Sequence, residues 1–341
     1  MLQKLSISDF DLQIGLPLQH INLFYQVFGQ PIGTAPVVVV NHALTGNSEV
    51  AGKNGWWKSL IGTGKTIDTD LFTIIAINIP GNGFDGYAEN LIIDYTNWSI
   101  VDIAKLFWKT LFLLQIKELF AVIGGSLGGA IAWEMAKQEP SRIQHLIPIA
   151  TDWKATDWVI ANVLLQEKIL NNSTNAIADA RLHAMMLYRT PQSFKQKFDR
   201  AQQSDSNLYQ IESWLNAHGK KLENRFTLSA YKLMNHLLKT IAIAKTNNTF
   251  LEITSTITAK IHLIAVNSDL FFLAKENIET YLLLKKRRRN VNYSEIKSIH
   301  GHDAFLLEFE QMNRFLNPIF KNAIFENPER QKNITICRSN Y

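Results

Sequence analysis

The run Gly124-Gly125-Ser126-Leu127-Gly128-Gly129 limits what this chain can fold into more than any other feature. A continuous apolar stretch at residues 119–123 leads into it, and residues 130–136 continue with helical periodicity. Strand, tight glycine turn and helix form the setting of a G-x-S-x-G nucleophile elbow, whose strained turn needs neighbours without side chains. Ser126 projects from the tip of such a turn, and the N–H dipoles of the following helix point at any oxyanion formed there. A glycine-rich turn without chemistry is the competing explanation, and the strand and helix on either side argue against it.

Five continuous apolar runs, at residues 37–40, 72–79, 119–123, 145–149 and 261–266, read as strands buried on both faces of a mostly parallel sheet. Helical patterns at 100–114 and 127–137 lie between them, giving the alternation of an α/β fold. The first forty residues differ: 10–14 and 21–28 alternate apolar and polar positions and end in Gly or Pro, as antiparallel edge strands do. Residues 152–255 are rich in Asn, Gln, Lys and Met, keep helical periodicity and lack a buried strand, so they read as a helical cap inserted into the core. The expected organisation is a core of residues 1–151 and 256–325, a cap of 152–255 and a loosely held polar tail of 326–341. A chain of 341 residues that is 46% hydrophobic can bury a core of that size.

A serine hydroxyl is a poor nucleophile at neutral pH; it needs a base, and the base needs a carboxylate to fix its tautomer. In elbow folds they follow in the order Ser, Asp, His. The run 261–266 ends in Asn267-Ser268-Asp269, which puts Asp269 past the carboxyl end of a strand, where open α/β sheets form their sites. Asp269 also suits the N-cap of a helix over 270–281. A further strand at 291–296 is followed by Ser298-Ile299-His300-Gly301-His302-Asp303, so His300 or His302 is the base. After residues 37–40 comes Asn41-His42-Ala43-Leu44-Thr45-Gly46, where such a fold takes its second oxyanion donor. The backbone N–H groups of Leu44 and Leu127 are the candidates, and donors acting through main chain need no polar side chain.

Other readings are weaker. Gly81-Asn82-Gly83-Phe84-Asp85-Gly86 matches the G-x-G-x-x-G of dinucleotide sites, but Pro80 enters the turn, Asp85 would face a pyrophosphate and 87–97 reads as loop. Much of the net charge of +5 sits in Lys285-Lys286-Arg287-Arg288-Arg289, which reads as a solvated helix end; no aromatics interleave with it as nucleic-acid stacking requires. No apolar run nears the roughly 18 residues of a membrane helix, and the first ten residues mix Lys4 and Asp9 into a short apolar stretch, unlike a secretory signal. The single cysteine, Cys337, forms no internal disulfide and no cysteine metal site. The expectation is a cytoplasmic protein with no metal or redox cofactor and no nucleic-acid or membrane partner.

In order along the chain, these motifs resemble the homoserine O-acetyltransferase family of α/β-hydrolase-fold acyltransferases. The similarity runs through Asn41-His42-Ala43-Leu44-Thr45-Gly46-Asn47-Ser48, Gly55-Trp56-Trp57 and Gly62-Thr63-Gly64-Lys65-Thr66-Ile67-Asp68-Thr69-Asp70 to the elbow. It continues in Tyr188-Arg189-Thr190-Pro191, Gly219-Lys220-Lys221, Arg225-Phe226, Ser268-Asp269-Leu270-Phe271 and Gly301-His302-Asp303-Ala304-Phe305-Leu306. The resemblance implies an α/β-hydrolase fold, a mostly parallel sheet flanked by helices with an inserted helical cap. It implies Ser126, Asp269 and His302, rather than His300, as the catalytic triad. Arg181 and Asp303 match the family's acceptor ligands, and a guanidinium suits an α-carboxylate as a carboxylate suits an α-ammonium. The implied reaction moves an acetyl group from acetyl-CoA to the side-chain hydroxyl of L-homoserine by a ping-pong route, a step of methionine biosynthesis, in a homodimer. Ester or thioester hydrolysis, serine as acceptor and succinyl-CoA as donor are the alternatives open to the same triad. Two segments depart from the family: Ile79-Pro80-Gly81-Asn82-Gly83-Phe84-Asp85-Gly86 replaces a stretch ending in Ser-Thr-Gly-Pro, and Thr227-Leu228-Ser229-Ala230-Tyr231 replaces Asp-Ala-Asn-Ser-Tyr.

Overall fold

A computed structural model describes residues 1–204, 207–287 and 290–322. The strands are β1 (Gln3–Asp11), β2 (Pro17–Gly29), β3 (Val37–Asn41), β4 (Thr73–Ile77), β5 (Leu119–Gly125), β6 (Ile143–Ile149), β7 (Lys260–Val266) and β8 (Val291–Ile296). They form one sheet in the order β1-β2-β4-β3-β5-β6-β7-β8. The first two strands are an antiparallel hairpin, β2 runs antiparallel to β4, and every pairing from β4 to β8 is parallel. Parallel strands covered on both sides bury both sets of side chains. Val37 and Val39 of β3 enter one hydrophobic core, while Val38 and Val40 enter the other.

The helices are α1 (Ile100–Leu113), α2 (Leu127–Gln138), α3 (Asp157–Asn172), α4 (Ala176–Tyr188), α5 (Pro191–Phe198), α6 (Gln210–Glu223), α7 (Leu228–Lys239), α8 (Asn247–Thr256), α9 (Ala274–Lys285) and α10 (Phe309–Asn322). Ile103 and Leu106 of α1 and Ile131 of α2 pack in the core of Val37 and Val39; Met312 and Leu316 of α10 pack in the other. Helices α3 to α8 fill the stretch between β6 and β7. The last of them, α8, stacks Phe250 on Trp153 with ring centroids 4.3 Å apart and meets Trp133 of α2 at 5.8 Å.

The start of α1 shows how the edge hairpin is fastened. Asp102 is fully buried and its carboxylate accepts the Ser99 N–H at 2.9 Å, the Ser99 hydroxyl at 2.8 Å and the Gln13 N–H at 2.6 Å. It caps the helix and holds the turn between β1 and β2 against it. The apolar run expected as a strand over 72–79 forms strand from Thr73 to Ile77, and the Asn78 N–H still donates to the Phe24 carbonyl of β2 at 2.8 Å. The Asn78 side chain turns into a buried polar network with Ser48 and Asn82. Among the described residues no helix is long and apolar enough to cross a membrane. The expected tail of 326–341 with Cys337, and Arg288 and Arg289 of the basic run, lie outside the described residues.

Candidate active site

β5 passes into α2 through Ser126, which adopts φ 54° and ψ −125°. A non-glycine residue held there costs on the order of 1–3 kcal/mol, so its surroundings must impose the conformation. Its N–H donates to the Ile149 carbonyl at the end of β6 (2.8 Å). The flanking glycines are dictated by space. A Cβ on Gly128 would lie 2.3 Å from the Asn41 carbonyl oxygen, and one on Gly124 would lie 2.4 Å from the Gly128 backbone. The elbow and the end of β3 therefore touch backbone to backbone.

Three side chains converge at the carboxyl ends of β5, β7 and β8. Ser126 Oγ lies 2.9 Å from His302 Nε2, and His302 Nδ1 lies 2.7 Å from Asp269 Oδ2. All three are buried, with 4%, 4% and 3% exposure for Ser126, His302 and Asp269. The other Asp269 oxygen accepts the N–H groups of Phe271 (2.7 Å) and Phe272 (3.0 Å), so the carboxylate is fixed by its own turn. Asp269 does not cap a helix: α9 begins at Ala274 with Leu273 at its N-cap. Burial pulls the His302 pKa down, but the charge and hydrogen bond of Asp269, joined by the charge of Asp303, leave it raised above the ordinary imidazole value. The rings of Tyr188, Phe271, Phe305 and Phe272 surround His302 with centroids 5.4 to 5.8 Å away. His300 is placed elsewhere, its Nδ1 2.9 Å from Ser193 Oγ of α5.

Leu127 is the first residue of α2, where a helix offers no internal acceptor for the N–H. Leu44 is buried in the loop after β3. That loop is shaped by a residue that sequence reading passed over. His42 is buried, its Nδ1 2.8 Å from the Ala43 carbonyl and its Nε2 3.0 Å from the Ile79 N–H. Burial pushes its pKa down to about 4, so at neutral pH it is uncharged, donating through Nδ1 and accepting at Nε2. Asn82 lies 3.4 Å from the same Nε2, and Asn78, Ser48 and Gln26 extend the network at 2.8 to 3.3 Å. The segment 79–86 thus buttresses the loop bearing Leu44. Its G-x-G-x-x-G leads into short 3₁₀ turns at Ala88–Asn90 and Tyr95–Asn97 rather than into a helix, so the geometry of a dinucleotide site is missing there. From the cap, the Arg225 guanidinium reaches the Thr45 carbonyl.

The cap is fastened to the histidine loop. Arg189 Nε pairs with Asp303 Oδ2 at 3.0 Å, with both side chains largely buried. The Thr190 hydroxyl donates to the Ile299 carbonyl. Arg181 of α4 lies with its guanidinium carbon 5.5 Å from the Tyr188 ring centroid. Tyr188 and Arg189 join the site through contacts that sequence spacing does not reveal, although both fall within the Tyr-Arg-Thr-Pro motif. Between cap helices α3, α4 and α7 and the core, Leu44, Tyr188, Tyr231 and Phe271 help line a cavity of about 10 Å³, room for about one water molecule.

Comparison with known proteins agrees with this geometry. A model of the alpha/beta hydrolase fold matches residues 36–250. A homoserine O-acetyltransferase of Symbiobacterium thermophilum is 31% identical, over 90% of this chain and 92% of its own. One from Methanococcus vannielii is also 31% identical, over 94% of this chain and 72% of its own. The crystal structure of homoserine O-acetyltransferase from Bacillus anthracis superposes with a TM-score of 0.83 at 18% identity, covering 94% of this chain and 97% of that one. Esterase E22 superposes with a TM-score of 0.81 at 18% identity, over 94% and 100%.

Proposed function

The chain belongs to the homoserine O-acetyltransferase family of the α/β-hydrolase fold, and on that premise we propose that it moves an acetyl group from acetyl-CoA to the side-chain hydroxyl of L-homoserine. The observation that carries the mechanism is the unbroken relay from Ser126 Oγ through His302 to Asp269, at 2.9 and 2.7 Å. His302 takes the hydroxyl proton as Ser126 Oγ attacks the thioester carbonyl. The tetrahedral oxyanion rests on the N–H groups of Leu44 and Leu127. The C–S bond then breaks, His302 returns its proton to the departing sulfur, and acetyl-Ser126 remains. In the second half, the homoserine hydroxyl gives its proton to His302 and attacks the acetyl carbonyl; the C–Oγ bond breaks and Ser126 recovers the proton.

Arg181 takes the acceptor α-carboxylate and Asp303 its α-ammonium, with Asp303 already oriented by Arg189. The burial of Ser126 and His302, each 4% exposed, supports transfer over hydrolysis, since it limits the access of bulk water to the acyl-serine. A cytoplasmic homodimer completes the reading, and a monomeric mass by light scattering would remove the dimer.

The test is acetyl-CoA turnover with and without L-homoserine. CoA release that depends on homoserine, with O-acetylhomoserine found by mass spectrometry, is expected; release indifferent to the acceptor would make the protein a hydrolase. Ser126→Ala should abolish the acetyl-enzyme, and undiminished turnover in that variant would end the mechanism.

A further inference from the structure

Beyond the triad, the cap carries charges that the acceptor does not need. Lys197 of α5 holds its ammonium 4.7 Å from the centroid of Trp214 on α6. Trp214 in turn lies 4.1 Å from His218, one helical turn along, and Phe194 and Phe198 back the indole at 6.0 and 5.6 Å. Lys221 follows three residues after His218, so Trp214, His218 and Lys221 share one face of α6. The charged groups acting on the His218 ring are Arg181, Lys221 and Lys197, with the single carboxylate of Asp303 opposing them. Asp303 is already paired with Arg189, and Arg189 also acts on Lys197. The cluster is therefore short of negative charge. It is also joined to the catalytic centre along the chain: His302 is followed by Asp303, which holds Arg189, and α5, which carries Lys197, begins two residues after Arg189. Lys197 and Lys221 are exposed, while Trp214 and His218 are half-buried.

We propose that this cap face, built from Lys197, Trp214, His218 and Lys221, binds the phosphorylated nucleotide end of the acyl donor. The two lysines meet phosphate oxygens and the Trp214–His218 pair takes the nucleobase. A phosphate needs charge-assisted donors, and a purine needs an aromatic partner; the lysines present the first and the half-buried Trp214 and His218, tilted 52° to each other, the second, whereas a homoserine-sized acceptor uses neither. The indole beneath Lys197 keeps its ammonium near one position, which lowers the ordering cost of binding. The assignment rests on the thioester donor of the proposed function and locates its remote handle, where binding holds the thioester over Ser126.

Titration of the full-length protein with adenosine 3′,5′-bisphosphate, which lacks the thioester, tests the site without any turnover. The wild type should bind it, and the Lys197→Ala/Lys221→Ala double variant should bind about tenfold or more weakly, the loss of at least one charge-assisted hydrogen bond. The charge-keeping Lys197→Arg/Lys221→Arg variant should retain binding, which separates lost charge from lost fold. Adenosine without phosphates should bind about tenfold or more weakly than the bisphosphate. Equal affinity in wild type and double alanine variant, or equal affinity for adenosine and the bisphosphate, overturns the assignment. Kinetics give a second reading: the preference in kcat/KM for acetyl-CoA over S-acetyl-pantetheine should shrink about tenfold in the double alanine variant. An unchanged preference also overturns it. A protein that bound the bisphosphate yet failed to transfer acetyl groups would refute the proposed function and leave this site standing.

Discussion

Both oxygens of Asp269 are committed, one to His302 and one to two backbone N–H groups, so the side chain has little freedom to adjust to a substitution. Asp269→Asn keeps the shape but presents an amide where the imidazole N–H needs an acceptor. The expected result is a fall in acetyl transfer of about 10³- to 10⁴-fold. The base acts only when neutral, so the raised His302 pKa places the acid limb of kcat/KM above the ordinary imidazole value. In Asp269→Asn that limb should move to lower pH, because the charge that raised the pKa is gone. A variant with near-normal rate and an unmoved limb would show that Asp269 neither orients nor charges the base. At Gly128 the constraint is spatial: Gly128→Ala must push the Asn41 carbonyl away and with it the strand that leads to Leu44.

At the level of elements, the Asp102 carboxylate joins α1 to the edge hairpin beside Lys105 and Lys109, which donate to the carbonyls of Asp11, Ser8 and Asp9. Asp102→Ala removes the acceptor of the half-buried Ser99 and the exposed Gln13 donors together with the helix cap, and should lower stability by about 1 kcal/mol. Urea unfolding would register this as an earlier midpoint, and an unchanged midpoint would mean that the bonds contribute nothing net. The buried strands were legible in the sequence because continuous apolar runs have few other uses; the run at 37–40 became β3 and the one at 261–266 became β7 with little change. The elbow was legible because its glycines answer a local demand for space. Sequence reading erred where a side chain ends an element. The helix expected over 270–281 starts at Ala274 because the Asp269 carboxylate holds residues 271 and 272 in a turn. Choosing between His300 and His302 from the residues alone was impossible, since the Ser193 contact that occupies His300 comes from 107 positions away. The pairing of Arg189 with Asp303 spans 114 positions and leaves no periodic trace.

Over the whole molecule, proton uptake couples to stability through imidazoles held uncharged. His42, His145 and His262 have pKa values lowered to about 4, with burial the largest cause in each. Below the ordinary value of 6.5 the unfolded chain binds protons there that the folded chain refuses until about pH 4. Stability should therefore fall as pH drops through that window, by up to about 1.4 kcal/mol per pH unit for each histidine. His302 acts in the opposite sense: its raised pKa contributes stability below the ordinary imidazole value, lost as pH rises through the folded value. Burial lowers His183, His218 and His236 in the same sense as His42, His145 and His262, while Asp152, raised by burial to about 7, acts with His302. Urea midpoints at pH 7 and pH 5 would check the balance, with a lower midpoint expected at pH 5. Equal midpoints would mean that the lowered imidazoles do not outweigh His302 and Asp152. The insertion of the cap between β6 and β7 separates Ser126 from His302 by 176 positions. A nascent chain leaving the ribosome thus carries its nucleophile long before its base has been synthesised, and stays inert until the closing strand docks. Reaction of Ser126 with an acylating reagent can accordingly report when the His302 loop reaches the elbow during refolding.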